Sequence, residues 1–203
     1  PGNKAMRSTS LFSSQDLKIW KYEHNFMKNE CFLPPGEDAS CPYFWPIGNR
    51  YIFLFFSHTT GSQYLLGDYN KEEHCFYPTF HGRFNFMSFL PGGVHAPSAT
   101  SDGEGGVIVI HNMHTGKKSP GWRGITTLPR KLTLDKCDTI NIQPYGDYKS
   151  LRTHHQHIDK THLPANKEII IDNIQGNALE IKAEINIKSS PMIEMNVLRS
   201  PDK

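Results

Sequence analysis

No stretch of this chain approaches the roughly 18 consecutive apolar residues of a membrane-spanning helix. No leader with charged, apolar and small-residue segments stands at its start. The chain begins at Pro1-Gly2 without a methionine, so that absence leaves the compartment open. An excess of one charge is missing too: 22 Lys and Arg stand against 20 Asp and Glu, for a formal charge of +2, with no basic run. That balance excludes the electrostatic footprint of a nucleic-acid binder. The four cysteines, Cys31, Cys41, Cys75 and Cys137, show no C-x-x-C or zinc-like spacing, and nothing in their placement fixes a disulfide. The eleven histidines cluster as His154, His155 and His157 and as His111 and His114. No Cys or carboxylate completes a ligand set with either group, so no metal is expected. The turn from Ser101 to Gly106 carries Asp102 and Glu104 without EF-hand spacing, and reads as a hairpin turn.

Helical periodicity is also scarce, and strand-like runs fill the space. The expected strands cover residues 10–13, 18–23, 51–57, 63–69, 75–79, 106–112, 125–128 and 131–135. Turn signals such as Thr60-Gly61, Pro91-Gly92-Gly93 and Asp102-Gly103 separate them. Spacings of about ten residues predict an all-β sandwich, barrel or propeller. Near residue 150 the character changes. Residues 168–172, 178–188 and 192–200 form longer runs, and 178–188 alternates apolar and polar strictly, the pattern of an antiparallel strand with one wet face. Three strands are few for an independent sheet domain, so the C-terminal part reads as the start of a larger one. The expected division is 1–148, a connector at 149–167, and 168–203.

The richest stretch is Glu37-Asp38-Ala39-Ser40-Cys41-Pro42-Tyr43-Phe44-Trp45-Pro46-Ile47-Gly48. Two adjacent carboxylates precede an aromatic cluster and a strand of almost pure hydrophobics. Carboxylates beside aromatic platforms are the raw material of sugar-cleaving sites.

Several motifs in order sharpen this. Ser14-Gln15-Asp16-Leu17-Lys18-Ile19-Trp20 resembles the S-x-D-L-x-x-W turn of five-bladed propeller glycosidases. Ser40-Cys41-Pro42-Tyr43-Phe44 resembles the E-C-P-D-F motif of glycoside hydrolase family 32, the invertase, inulinase and levanase family. The segment Gln63 to Tyr69 is similar to its Y-x-x-G-x-[FY] strand. His95-Ala96-Pro97-Ser98-Ala99-Thr100 takes the place of Y-A-P-Q-T-F. Gly121-Trp122, then Thr127-Leu128-Pro129-Arg130-Lys131-Leu132-Thr133-Leu134, resembles G-W … L-P-R-E-L-T-L. The likeness runs from about Ser13 to Arg199.

The resemblance implies part of a five-bladed β-propeller followed by part of a C-terminal β-sandwich. It implies retaining hydrolysis of β-fructofuranosyl bonds in sucrose or fructans, without a cofactor. Its nucleophile belongs to an N-D-P-N-G motif and its transition-state stabiliser to an R-D-P motif. Neither occurs here, so the partner expected for this chain, besides its carbohydrate substrate, is the missing N-terminal part of the same enzyme. Neither nucleic acid nor membrane is an expected partner. What remains for these residues is the acid/base carboxyl, which protonates the leaving oxygen and then activates water.

Here the sequence departs from the family pattern: Ser40 stands where the family has Glu, and serine cannot perform that step. The expected catalytic residue is therefore Asp38 or Glu37. In an extended strand Asp38 shares a face with Ser40, whereas Glu37 would join them only through a bulge or turn. Glu37 has the longer reach. Glu30-Cys31 repeats the dipeptide but lacks the proline. Phe44 and Trp45 are candidate walls of the sugar site, set against the alternative of core rings. His95 stands where the resemblance places a substrate-facing hydroxyl, and Trp122 where it places a rim tryptophan. Asp16 is expected to shape its turn, and Arg130 to serve structure. Because the family's Glu is replaced, two other readings stay open: a non-catalytic carbohydrate-binding propeller, and a related glycosidase acting on arabinosides.

Overall fold

The computed structural model describes residues 9–28, 32–33, 38–58, 60–84, 93–114, 120–122, 124–187 and 192–197. The chain divides into two compact units, Pro1–Gly146 and Asp147–Lys203.

The first unit is all-β. Strands β1 (Ser10–Ser13) and β2 (Lys21–Asn25) form a hairpin. The loop between them closes on Asp16, whose Oδ1 accepts from the N–H groups of Lys18 and Ile19 at 2.8 and 2.9 Å. Strands β3 (Ser40–Ile47), β4 (Arg50–Ser57), β5 (Gly61–Asn70) and β6 (Cys75–Arg83) make an antiparallel meander in chain order. A second sheet joins β7 (Gly93–Ser101), β8 (Val107–His114), β10 (Arg130–Leu134) and β11 (Ile140–Pro144), with the short β9 (Ile125–Thr126) also on β8. None of the sheets closes into a barrel.

The hydrophobic run in β4 exists because the first sheet is buried on both faces. Ile52 and Leu54 point to the seam between the sheets, where they meet Ile47, Leu66, Val107, Val109 and Leu132. Phe53 and Phe55 point the other way, onto Phe26, Met27, Leu65 and Phe76. Trp45 ties the seam: its indole Nε1 donates to the Ala99 carbonyl of β7 at 3.2 Å. The turns at the sheet ends meet as well, with Gly48 N donating to Gly105 O at 2.8 Å.

Gly67 sits at a register shift between β5 and β6. A Cβ there would lie 2.2 Å from the Tyr77 carbonyl oxygen and 2.8 Å from both the Phe76 ring and the Pro78 Cα. Backbone cannot retreat as a side-chain tip can. Gly67→Ala is therefore expected to destabilise this unit by about 3 kcal/mol, the upper end of the overpacking range. In urea denaturation the midpoint should fall with little change in slope; an unchanged midpoint would refute this account of the glycine.

The turn Asp102–Gly106 is a hairpin turn between β7 and β8. Asp102 Oδ1 accepts from the N–H groups of Glu104 and Gly106 at 2.7 and 2.8 Å. Its other oxygen pairs with Lys131 Nζ at 2.7 Å. The Lys131 ammonium, helped by those N–H groups, holds the Asp102 carboxyl down at about 2.

The second unit opens with a 3-10 turn, Tyr148–Leu151. Arg152 Nε donates to Glu180 Oε2 at 2.6 Å. Among its described residues beyond Leu151 no strand pairing occurs, and the alternating segment from residue 178 forms no strand there. Ile181, Ile185 and Ile187 stand exposed there. Alternation sorts side chains between two faces, but a strand also needs a neighbour's backbone groups, and the described residues of this unit supply none. No helix among the described residues is long and apolar enough to cross a membrane.

Candidate active site

Antiparallel pairing brings the entry of β3, the exit of β4, the entry of β5 and the exit of β6 to one end of the first sheet. Ser40 faces Phe56, Phe56 faces Ser62, and Gln63 faces Arg83. Asp38 stands just before that end. Its side chain is only 14 % exposed and is surrounded by donors. Ser40 Oγ donates to Oδ2 at 2.9 Å. The backbone N–H of His58 donates to Oδ1 at 3.3 Å. The ring Nδ1 of His58 is bonded to Oδ2.

The backbone that sets this up is unusual. Ala39 (φ 40°) and Cys41 (φ 52°) flank Ser40 in the left-handed region, rare for non-glycine residues. Between Ser40 and Tyr43, β3 advances three residues while β4 advances two, which is a β-bulge. Asp38 and Ser40 do meet, as alternation suggested, but through a left-handed kink and not through an extended strand. Left-handed residues of this kind concentrate where a side chain must be aimed.

His58 is the residue that sequence reasoning passed over. It lies just beyond β4, before the start of β5, and its side chain is 67 % exposed. Its ring meets the Phe56 ring edge-on at 4.9 Å. On the other side Phe56 stacks against His95 at 5.0 Å. His95 is buried, 5 % exposed, so it lines this end from within. Deeper in the sheet, the Nε2 of His81 bonds Gln63 Oε1 at 2.6 Å. Burial, with a smaller effect from Arg83, pushes the His81 pKa down, which suits a neutral ring donating through Nε2.

The remaining candidates are spread more widely. Glu37 lies outside the described residues. Phe44 packs among Phe26, Tyr51, Tyr69 and Phe76, with centroids 4.9 to 5.3 Å away. Trp45 is the seam residue described above. Trp122 is 51 % exposed in the segment leading to β9. Among the described residues no three His, Cys, Asp or Glu side chains gather as metal ligands. Cys41, Cys75 and Cys137 are free thiols.

The arrangement thus offers a shielded carboxylate, a fixed imidazole and a kinked strand entry at one end of the first sheet. The family profile described as glycosyl hydrolases family 32, N-terminal domain, matches residues 2–144. The chain belongs to glycosyl hydrolase family 32. The matched residues of this family-32 chain fall within its first unit, Pro1–Gly146, and include Asp38, His58 and the four-stranded and five-stranded sheets. A glycoside hydrolase family implies a carbohydrate substrate. No curated protein matches the chain.

Proposed function

We propose that the protein is a retaining glycoside hydrolase acting on β-fructofuranosyl bonds in sucrose or fructans, and that this chain supplies the acid/base side of its site. The observation that carries the reading is the family match over residues 2–144, which spans the carboxylate pair Glu37-Asp38 directly before Ser40-Cys41-Pro42. The four-stranded meander and the five-stranded sheet that follows it fit consecutive blades of a propeller, and we assign residues 168–203 to the start of a sandwich. The nucleophile must come from another part of the enzyme, because neither N-D-P-N-G nor R-D-P occurs in these 203 residues.

Within the pair, the surroundings of Asp38 favour Glu37 as the proton donor. A general acid must carry a proton it can release to the leaving oxygen. Asp38 instead accepts from Ser40 Oγ and the His58 N–H, and its Oδ2 is bonded to the His58 ring Nδ1.

The test is sugar release by the full-length protein from sucrose, inulin, levan and an arabinoside panel, with the anomeric configuration followed by NMR. Fructose released with retention is the expected result. Inversion would overturn the mechanism. Arabinose release alone would shift the substrate, and sugar binding without release would favour a carbohydrate-binding propeller.

A further inference from the structure

We propose that Asp38 and His58 act as one fixed pair, in which the carboxylate orients the imidazole through Nδ1 so that Nε2 accepts a hydroxyl group of the bound sugar. The proposal rests on the glycosidase reading above and gives that site a sugar-binding residue which none of the family motifs marks.

Three observations carry it. First, His58 is exposed yet held on two sides. Its Nδ1 is bonded to Asp38, and the edge of its ring is fixed by Phe56 at 4.9 Å. An exposed imidazole ordinarily swings freely, and ordering it costs side-chain entropy. Here that cost is met in the folded protein before any ligand arrives, which is the benefit of preorganisation. Second, the bond to Asp38 selects the tautomer. With the proton on Nδ1, a neutral imidazole presents Nε2 as an acceptor, and no described residue occupies Nε2. Sugar hydroxyls are donors as well as acceptors, so such a group is matched to them. Third, Asp38 itself is turned inward. At 14 % exposure, with Ser40 and the His58 backbone on its oxygens, it is placed to hold the ring and not to meet substrate. Asp38 is thus a positioning residue, and His58 is the group that touches the sugar.

The experiment uses the full-length enzyme with 15N-labelled histidine. Fructose titration should move the His58 Nε2 resonance in the wild type, and Asp38→Asn should weaken that response about tenfold, the loss expected for one hydrogen bond. A His58 signal that ignores fructose in the wild type overturns the proposal whether or not the protein cleaves any sugar. Kinetics give the second arm. Asp38→Asn and His58→Gln should each raise KM for sucrose about tenfold with a smaller change in kcat, and the double variant should be no worse than either single one, as for residues acting as a unit. Independent, multiplying losses would overturn it. So would an Asp38→Asn variant that is slow on sucrose yet normal on an aryl fructoside, because that would make Asp38 the proton donor. Absence of all glycosidase activity in the wild type would remove the functional reading, while the fructose titration would still decide whether His58 binds sugar.

Discussion

Glutamine in place of Glu37 is expected to slow sucrose hydrolysis by the full-length enzyme about 10²- to 10⁴-fold, the usual contribution of a positioned general acid. The same variant should spare an aryl β-fructofuranoside, whose leaving group departs without a proton. The contrast matters more than either number, since a folding defect would depress both substrates alike. The expectation follows from what surrounds its neighbour. Asp38 has hydrogen-bond partners on both oxygens, Ser40 Oγ and the His58 ring on one and the His58 N–H on the other. Glu37 carries one more methylene and so has the longer reach. Wild-type turnover of sucrose by the Glu37→Gln variant would sink this assignment. If Asp38→Asn showed the substrate contrast instead, the two roles would be exchanged.

Acidification should loosen the first unit through His111. That ring is 1 % exposed on β8, and among the described residues neither ring nitrogen has a hydrogen-bond partner. Phe84 packs on it at 5.1 Å. Burial, with a smaller effect from the Arg130 charge, holds its pKa down to about 4. The unfolded chain takes up a proton here below about pH 6.5, whereas the folded chain does so only near 4. Between those values the unfolded state binds more protons, so stability falls as the pH drops. The loss from this residue alone is about 2 kcal/mol at pH 5 and about 3 at pH 4. His111→Leu should be no less stable than wild type at pH 7, because it replaces an unpaired polar group with an apolar one. It should also lose about 2 kcal/mol less than wild type on going to pH 5. Urea titrations at the two pH values measure that difference directly. Equal losses in the two proteins would show that His111 is not the acid-sensitive group.

Strands with apolar residues on both faces were the easiest to read. β4 and β5 lie inside the first sheet, and β8 and β10 inside the second. The strands that composition hid are β3, β7 and β11, and all three are outer strands. Such a strand can carry Pro42, Pro46, Pro97 or Pro144 because one side of it donates no ladder hydrogen bond. The same prolines make its sequence look like loop. The site divides along a similar line. Asp38 was visible because a local motif follows it. His58 was not, because it meets Asp38 only through the β3–β4 pairing, twenty residues away in sequence. Aromatic identity alone did not tell a sugar platform from a core ring. The alternation along β3 sends Phe44 to the Phe26 and Phe76 cluster and leaves Trp45 at the seam. The segment from residue 178 shows the complementary limit, where a clear period names a face without naming what pairs with it.

The prolines have one more consequence. β3, β6, β7 and β11 are the borders of the two main sheets, and each contains at least one: Pro42 and Pro46, Pro78, Pro97, and Pro144. A bare border is a template on which a strand from another molecule can add, and a missing N–H spoils the template where the newcomer would bond. The protein therefore carries protection against edge-to-edge aggregation in its covalent structure. That protection is present during synthesis and refolding as well as in the folded protein.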